Sequence, residues 1–278
     1  MNRRRDELQK IRETRMITST GNSRIRELVK LKKSAKDRAK QDVFLVEGPK
    51  MFREIPRAHL MEAYASESFL NSADGPELLR RTGVRAEAVA DSVFQYLSDT
   101  QSPQGILAVV SQFHYSAEEL LGKGEPALVM VLENLQDPGN LGTIVRTAEA
   151  AGATGILMSR GCADITNPKV TRSTMGSLFR VPFAYTDNLE RDLQEMKKRK
   201  VRLFAAHLQG SVGLYEERYA GPTAFLIGNE SRGLTEETAR LADRAVRIPM
   251  GGQVESLNAA VASSILMYEA RRQRIATV

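Results

Sequence analysis

Three segments of this chain end a short apolar run in a polar turn that opens a helix, and this repeated form limits the fold more than any other feature. They read Asn134-Leu135-Gln136-Asp137-Pro138-Gly139-Asn140-Leu141-Gly142-Thr143-Ile144-Val145-Arg146-Thr147, then Phe225-Leu226-Ile227-Gly228-Asn229-Glu230-Ser231-Arg232-Gly233-Leu234, then Ile248-Pro249-Met250-Gly251-Gly252-Gln253-Val254-Glu255-Ser256-Leu257-Asn258-Ala259-Ala260-Val261-Ala262. Apolar runs at 128–132, 155–158, 201–206, 224–227 and 245–248 are short and unalternating, as strands buried on both faces of a parallel sheet are. Helical stretches separate them at 141–151 (closed by Gly152), 168–179, 189–200, 235–241 and 258–274. The rhythm predicts an open parallel α/β sheet over 127–278. Ligands of such sheets bind beyond the carboxyl ends of the strands, where all three turns fall.

The preceding part reads as a smaller mixed α/β unit. From Ser23, Ile25, Leu28, Val29 and Leu31 recur at near-helical spacing beneath Arg24, Arg26, Lys30, Lys32, Lys33, Lys36 and Arg38. A strand at 43–47, a Gly48-Pro49 turn into a helix from Lys50, further short pieces through 84–89 and a last strand around 106–110 follow. The expected organisation is a basic extension at 1–22, this unit at 23–112, a linker at 113–126 carrying Gly122 and Gly124, and the sheet domain at 127–278.

Charge is unevenly placed. Residues 1–40 hold 14 Lys and Arg against 5 Asp and Glu, a net of +9 in a chain whose whole is +6, so the remainder carries −3. A basic excess at one end suits contact with a polyanion, since each phosphate neutralised releases counterions. A solvated helix face is the plainer reading of such a run. No apolar run approaches the roughly 20 residues of a membrane span, and Asp6, Glu7 and Glu13 make the start unlike a transit peptide, so a soluble cytoplasmic protein is expected. Cys162 is the sole cysteine, and His59, His114 and His207 lie in unrelated contexts, which leaves no disulfide framework and no Cys/His metal site. A G-x-G-x-x-G after the first strand is missing, as are G-x-x-x-x-G-K-[ST], G-x-S-x-G and H-E-x-x-H. Dinucleotide oxidoreductases, P-loop ATPases, serine hydrolases and zinc proteases therefore recede.

The three turns resemble the motifs of the SpoU (TrmH) family of RNA ribose 2′-O-methyltransferases, in order: N-L-G-x-x-x-R-T/S-A at 140–148, G-x-E-x-x-G-L at 228–234, and I-P-M-x-G-x-V-x-S-L-N at 248–258. The part before them, with Phe44-Leu45-Val46-Glu47-Gly48 and Ser102-Pro103-Gln104-Gly105-Ile106, is more loosely similar to the L30e-like substrate-binding domain that often precedes that enzyme domain. The resemblance implies a SPOUT-like fold with a C-terminal trefoil knot, which breaks the general rule against threaded chains and which no periodicity predicts. It also implies S-adenosylmethionine as cofactor, held by Gly228, Ile248 and Leu257 largely through backbone with Met250 beside them. A homodimer and an RNA substrate follow as well, ribosomal RNA ahead of transfer RNA. A noncatalytic RNA-binding or ribosome-assembly factor on the same fold is the reading from another class. An intact set of Asn140, Arg146, Glu230, Ser256 and Asn258 speaks against it.

Each of those residues has a plain role beside the implied one. The apolar face of its helix is Leu141, Ile144, Val145 and Ala148, which leaves Arg146 as an ordinary surface cation unless the family position holds, where it meets the ribose 2′-hydroxyl. A guanidinium is a poor proton acceptor at neutral pH, so orientation of the hydroxyl and stabilisation of developing alkoxide are the expected roles, with formal base catalysis left open. Asn140 suits a helix cap at Leu141, and Ser256 and Asn258 suit caps of the last helix. Glu230 is either a solvated turn residue or a carboxylate that holds Arg146 or backbone donors. For RNA phosphates the candidates are Arg24, Arg26, Lys30, Lys32 and Lys33, with Arg172 and Arg180 weaker and equally readable as surface.

Overall fold

The computed structural model describes residues 16–276 apart from positions 125, 209 and 211, so most of the expected extension 1–22 lies outside the described residues. The described chain divides into two compact units: residues up to Gln112 together with Thr166–Gly176, and Phe113–Ile165 together with Ser177 onward.

In the first unit, Asn22 caps helix α1 (Ser23–Lys33) by accepting from the Arg24 amide at 2.8 Å, and Ile25, Leu28 and Leu31 form its buried stripe. Helix α2 (Ala35–Gln41) follows, ending at Asp42 in the left-handed conformation, φ 56°. Strands β1 (Val43–Glu47), β2 (Leu60–Ser66), β3 (Glu87–Val89) and β4 (Ile106–Ser111) lie in the order β1-β4-β2-β3. β4 runs antiparallel to both neighbours and β2 parallel to β3. Helices α3 (Pro49–Glu54), α4 (Glu67–Asn71), α5 (Asp74–Thr82) and α6 (Asp91–Leu97) connect them. Ile17 is buried and bridges to Val89, so the ordered unit begins ahead of residue 23. One cation of the basic run is not on the surface at all. Arg38 is 2% exposed, donating to the carbonyls of Leu31 and Lys32 at 2.8 and 3.2 Å and to Thr166 Oγ1 at 3.1 Å.

The second unit is a seven-stranded parallel sheet. Its strands are β5 (Leu128–Leu132), β6 (Gly155–Ser159), β7 (Phe183–Thr186), β8 (Arg202–Ala206), β9 (Val212–Gly213), β10 (Thr223–Ile227) and β11 (Arg244–Arg247), in the order β7-β6-β5-β10-β8-β11-β9. β5 and β10 are buried throughout, as central parallel strands should be. β10 enters between β5 and β8, two strands already laid, which puts the turns after β5 and β10 side by side. β7 and β9 add two strands to the five expected.

Helices fill the connections: α7 (Pro138–Ala151), α8 (Pro168–Ser173, spatially in the first unit), α9 (Leu189–Lys198), α10 (Glu236–Leu241) and α11 (Ala259–Ile275). α8 stops well short of the expected end at 179. Met175 and Gly176 take φ of 53° and 99°, which no helix continues through, and a separate 3-10 turn covers Ser177–Phe179. Arg274 near the end of α11 donates to the carbonyls of Pro126, Ala127, Tyr219 and Gly221 at 2.8–3.1 Å, which seats that end.

The stretch 113–126, expected as a linker, is built into the second unit. Phe113 stacks on Tyr115 and meets Phe183 edge-on. Leu120 is fully buried in the core with Val129, Val131, Leu157 and Leu226. A Cβ on Gly155 would lie 2.6 Å from that of Leu120, so glycine is required where β6 passes beneath it.

Candidate active site

The first and second motif turns are joined through Glu230. Its Oε1 accepts from the Asp137 amide at 2.9 Å and from Asn140 Nδ2 at 3.1 Å, and its Oε2 from the Gln136 amide at 3.2 Å. Burial is the largest influence on this carboxyl and pushes its pKa up. The Asp137 amide, the Asn140 side chain and further backbone donors outweigh it, and the net position lies below the ordinary glutamate value. Of the two roles open to Glu230, holding backbone donors is the one realised. Arg146 is exposed and has no hydrogen bond or ion pair among the described residues.

The third turn joins through Asn258, whose Nδ2 donates to Asn140 Oδ1 at 2.9 Å. Asn258 also caps α11, its Oδ1 accepting from the amides of Ala260 and Val261 at 2.9 and 3.3 Å. Backbone donors at one end and a carboxylate at the other fix the orientation of both amides: Asn258 must turn its oxygen to the helix, so its nitrogen meets the Asn140 oxygen, so the Asn140 nitrogen meets Glu230. Asn140 is 9% exposed and does not cap its helix. α7 starts at Pro138 with Asp137 as cap, accepting from the Asn140 amide at 2.7 Å. Asp before a proline at the first helical position was the available signal. Ser256 is exposed and caps nothing.

Two further residues hold this end of the sheet. Glu133, 6% exposed at the end of β5, accepts from the Thr235 amide at 2.7 Å, Thr235 Oγ1 at 2.9 Å and Thr238 Oγ1 at 2.6 Å, so it anchors the exit of the second turn. Asn229 Nδ2 donates to Asn134 O at 2.8 Å at its entry. Neither carries a periodic or motif signal. Gly228 is buried, and a Cβ there would fall 2.0 Å from the Gly233 carbonyl carbon and 2.1 Å from the Leu234 amide nitrogen. The turn's own return path occupies the space this glycine leaves. By contrast nothing lies within 4 Å of a Cβ on Gly251 or Gly252. Half-buried Ile248, Met250 and Leu257 and exposed Val254 flank that glycine pair.

The seven RNA candidates fare unequally. Lys32 Nζ donates to Ser98 O at 3.1 Å and pairs with Asp99 at 3.7 Å, with its side chain only 15% exposed, so it is a packing lysine within the first unit. Arg24 pairs with Glu62 at 3.4 Å and Lys30 with Asp37 at 2.9 Å. Arg26 and Lys33 are exposed without partners among the described residues. Arg172 is half-buried beside a small cavity that Lys32, Glu47 and Asp99 also line. Arg180 is paired with Glu149.

One carboxylate and two amides thus tie three strand-end turns of a parallel sheet, and comparison with known proteins gives the class of protein. The SpoU rRNA methylase family profile matches residues 127–268, and the MRM3-like substrate binding domain profile matches 22–108. An uncharacterized tRNA/rRNA methyltransferase of Synechocystis sp. is 35% identical over 93% of this chain and 94% of its own length. The 23S rRNA guanosine 2′-O-methyltransferase RlmP of Bacillus subtilis is 31% identical over 92% of this chain and 99% of its own. The crystal structure of the SpoU methyltransferase AviRb from Streptomyces viridochromogenes in complex with AdoMet superposes with a TM-score of 0.83 at 30% identity, covering 91% of this chain and 98% of that one. This chain belongs to the SpoU rRNA methylase family.

Proposed function

We propose that this protein transfers the methyl group of S-adenosylmethionine to a ribose 2′-hydroxyl of RNA, with ribosomal RNA as substrate ahead of transfer RNA. The observation that carries the reading is the Asn258–Asn140–Glu230 chain uniting the three motifs. The likeness to an AdoMet-bound SpoU enzyme and to a 23S rRNA 2′-O-methyltransferase supports it.

The residues present suit the cofactor. Open backbone at Gly251 and Gly252 and apolar side chains at Ile248, Met250 and Leu257 offer a cradle into which a ligand approaches main chain closely, and Gly228 shapes the neighbouring turn. S-adenosylmethionine supplies the electrophilic methyl on a sulfonium. Arg146, exposed on α7, orients the hydroxyl and stabilises the alkoxide that develops as the proton passes to solvent. Glu230 and Asn140 hold the turns in register, and Ser256 and Asn258, on the third turn, would face the ribose or the methionine end of the cofactor. Arg26, Lys33 and Arg172 supply phosphate contacts, joined by Arg24 and Lys30 where their carboxylate partners yield.

The trefoil knot and the homodimer belong to the same reading. Insertion of β10 between earlier strands supports the knot. Val261, Tyr268 and Ile275, exposed at heptad spacing along α11, support a second copy as neighbour. We place the enzyme in the cytoplasm with its RNA. No helix among the described residues is long and apolar enough to cross a membrane. Transfer that needs no metal, and so survives a chelator, is part of the same proposal.

Ribose-methylation mapping of RNA from cells with and without the gene, beside calorimetric titration with S-adenosylmethionine, tests this. An unchanged methylation map and an absent binding isotherm would refute it.

A further inference from the structure

The turn that carries Glu230 also presents a cation. Gly228–Leu234 is a closed loop: the Asn229 amide donates to Gly233 O at 3.0 Å and the Gly233 amide to Asn229 O at 2.9 Å. Asn229 Oδ1 accepts from the amides of Ser231 and Arg232 at 3.0 and 3.2 Å. The backbone at position 232 is therefore fixed on both sides, and Gly233 turns it with φ of 71°. Its side chain is exposed, with no ion pair or hydrogen bond among the described residues. Glu230 stands two residues back yet does not pair with it, because both its oxygens face the amides of the first turn. Arg160, the cation beyond the end of β6, is by contrast neutralised by both oxygens of Asp187, at 2.8 and 3.2 Å.

We propose that Arg232 is a substrate-positioning residue whose guanidinium grips an RNA phosphate adjoining the methylated ribose, an inference that rests on the methyl-transfer reading above. RNA offers an anion on either side of each ribose, and the planar fork of arginine matches two phosphate oxygens. A phosphate contact sets register without reading sequence. Made from a loop this rigid, it fixes how far the neighbouring ribose stands from the Glu230–Asn140–Asn258 network. The loop thus carries an inward carboxylate that holds the protein and an outward cation that holds the substrate.

The test uses the full chain with ribosomal RNA purified from a strain lacking the gene. Arg232→Ala should fold as the parent does by thermal unfolding and bind S-adenosylmethionine unchanged. Its KM for RNA should rise roughly tenfold or more with a smaller change in kcat. The log-log salt slope of RNA binding should flatten by about 0.7. Arg232→Lys should restore the slope and only part of the KM. A KM and salt slope equal to the parent's would overturn the inference. So would a loss of S-adenosylmethionine affinity, which would assign the guanidinium to the cofactor carboxylate, or a fall in kcat alone. Absence of transfer by the parent protein would instead defeat the methyl-transfer reading itself.

Discussion

The side-chain nitrogen of Asn258 lies 2.9 Å from the side-chain oxygen of Asn140, a bond spanning 118 residues of chain. Because Asn258 spends its oxygen on the α11 amides, the donor that meets Asn140 has no substitute. Asn258→Asp keeps the cap but sets a carboxylate oxygen against the Asn140 oxygen. It should leave the thermal midpoint close to the parent's while methyl transfer drops by about a hundredfold, the scale of losing a preorganised donor. Asn258→Ala should in addition cost about 1 kcal/mol of stability through the lost cap. Thermal unfolding beside single-turnover transfer separates the two, and full transfer by Asn258→Asp would show the bond to be structural decoration.

Arg146 is exposed and unpartnered among the described residues, so Arg146→Ala should cost within about 0.5 kcal/mol of stability. Transfer should nonetheless fall by about a hundredfold or more, with Arg146→Lys rescuing part of it. Cofactor titration should be unmoved. A folded Arg146→Ala protein with undiminished transfer would remove this residue from the chemistry.

Acid should act on the Glu230 network in a definite direction. Its carboxyl is held below the ordinary value of 4.5, so the stability it lends is complete above that value and is lost as pH falls through the depressed pKa. The gap in thermal midpoint between the parent and Glu230→Gln should be constant above about pH 5 and close progressively below it. A gap that widens on acidification would show the carboxyl to be held protonated instead.

The two kinds of glycine predict opposite outcomes. Gly228→Ala forces a methyl into the Gly233–Leu234 backbone and should cost about 2 kcal/mol or more, displacing Glu230 with the loop. Gly252→Ala meets nothing and should stay within about 0.5 kcal/mol of the parent, yet weaken S-adenosylmethionine binding if the cofactor approaches there. Calorimetry on both variants decides, and unchanged affinity in Gly252→Ala would move the cradle elsewhere.

Much of this was readable in the sequence because it rests on local rules. The central strands are short apolar runs, and the buried face of α7, Leu141, Ile144, Val145 and Ala148, follows helical spacing. β7 was missed because Phe183-Ala184-Tyr185-Thr186 is brief and only half buried. The break after α8 depends on Met175 adopting a left-handed conformation that a methionine does not advertise. In the site, the motif residues could be named, but their wiring could not. The cap falls on Asp137, the Asn140 amide turns to Glu230, and Glu133 is buried under two threonines 102 and 105 residues away. Lys32 and Arg38 show the same limit from the other side, since identical charges in one basic run end up packed rather than solvated.

Leu120 and the segment Thr166–Gly176 bear on how such a protein can be inherited. The second unit takes part of its core from a stretch ahead of its motif-bearing sheet, and the first unit takes Val170, Thr171 and Thr174, all buried, from a stretch that follows β6. A gene fragment beginning at residue 127 would leave the hole that Leu120 fills, and one ending at 112 would leave α8 behind. Recombination that exchanged the first unit for another would have to bring a matching 166–176 with it.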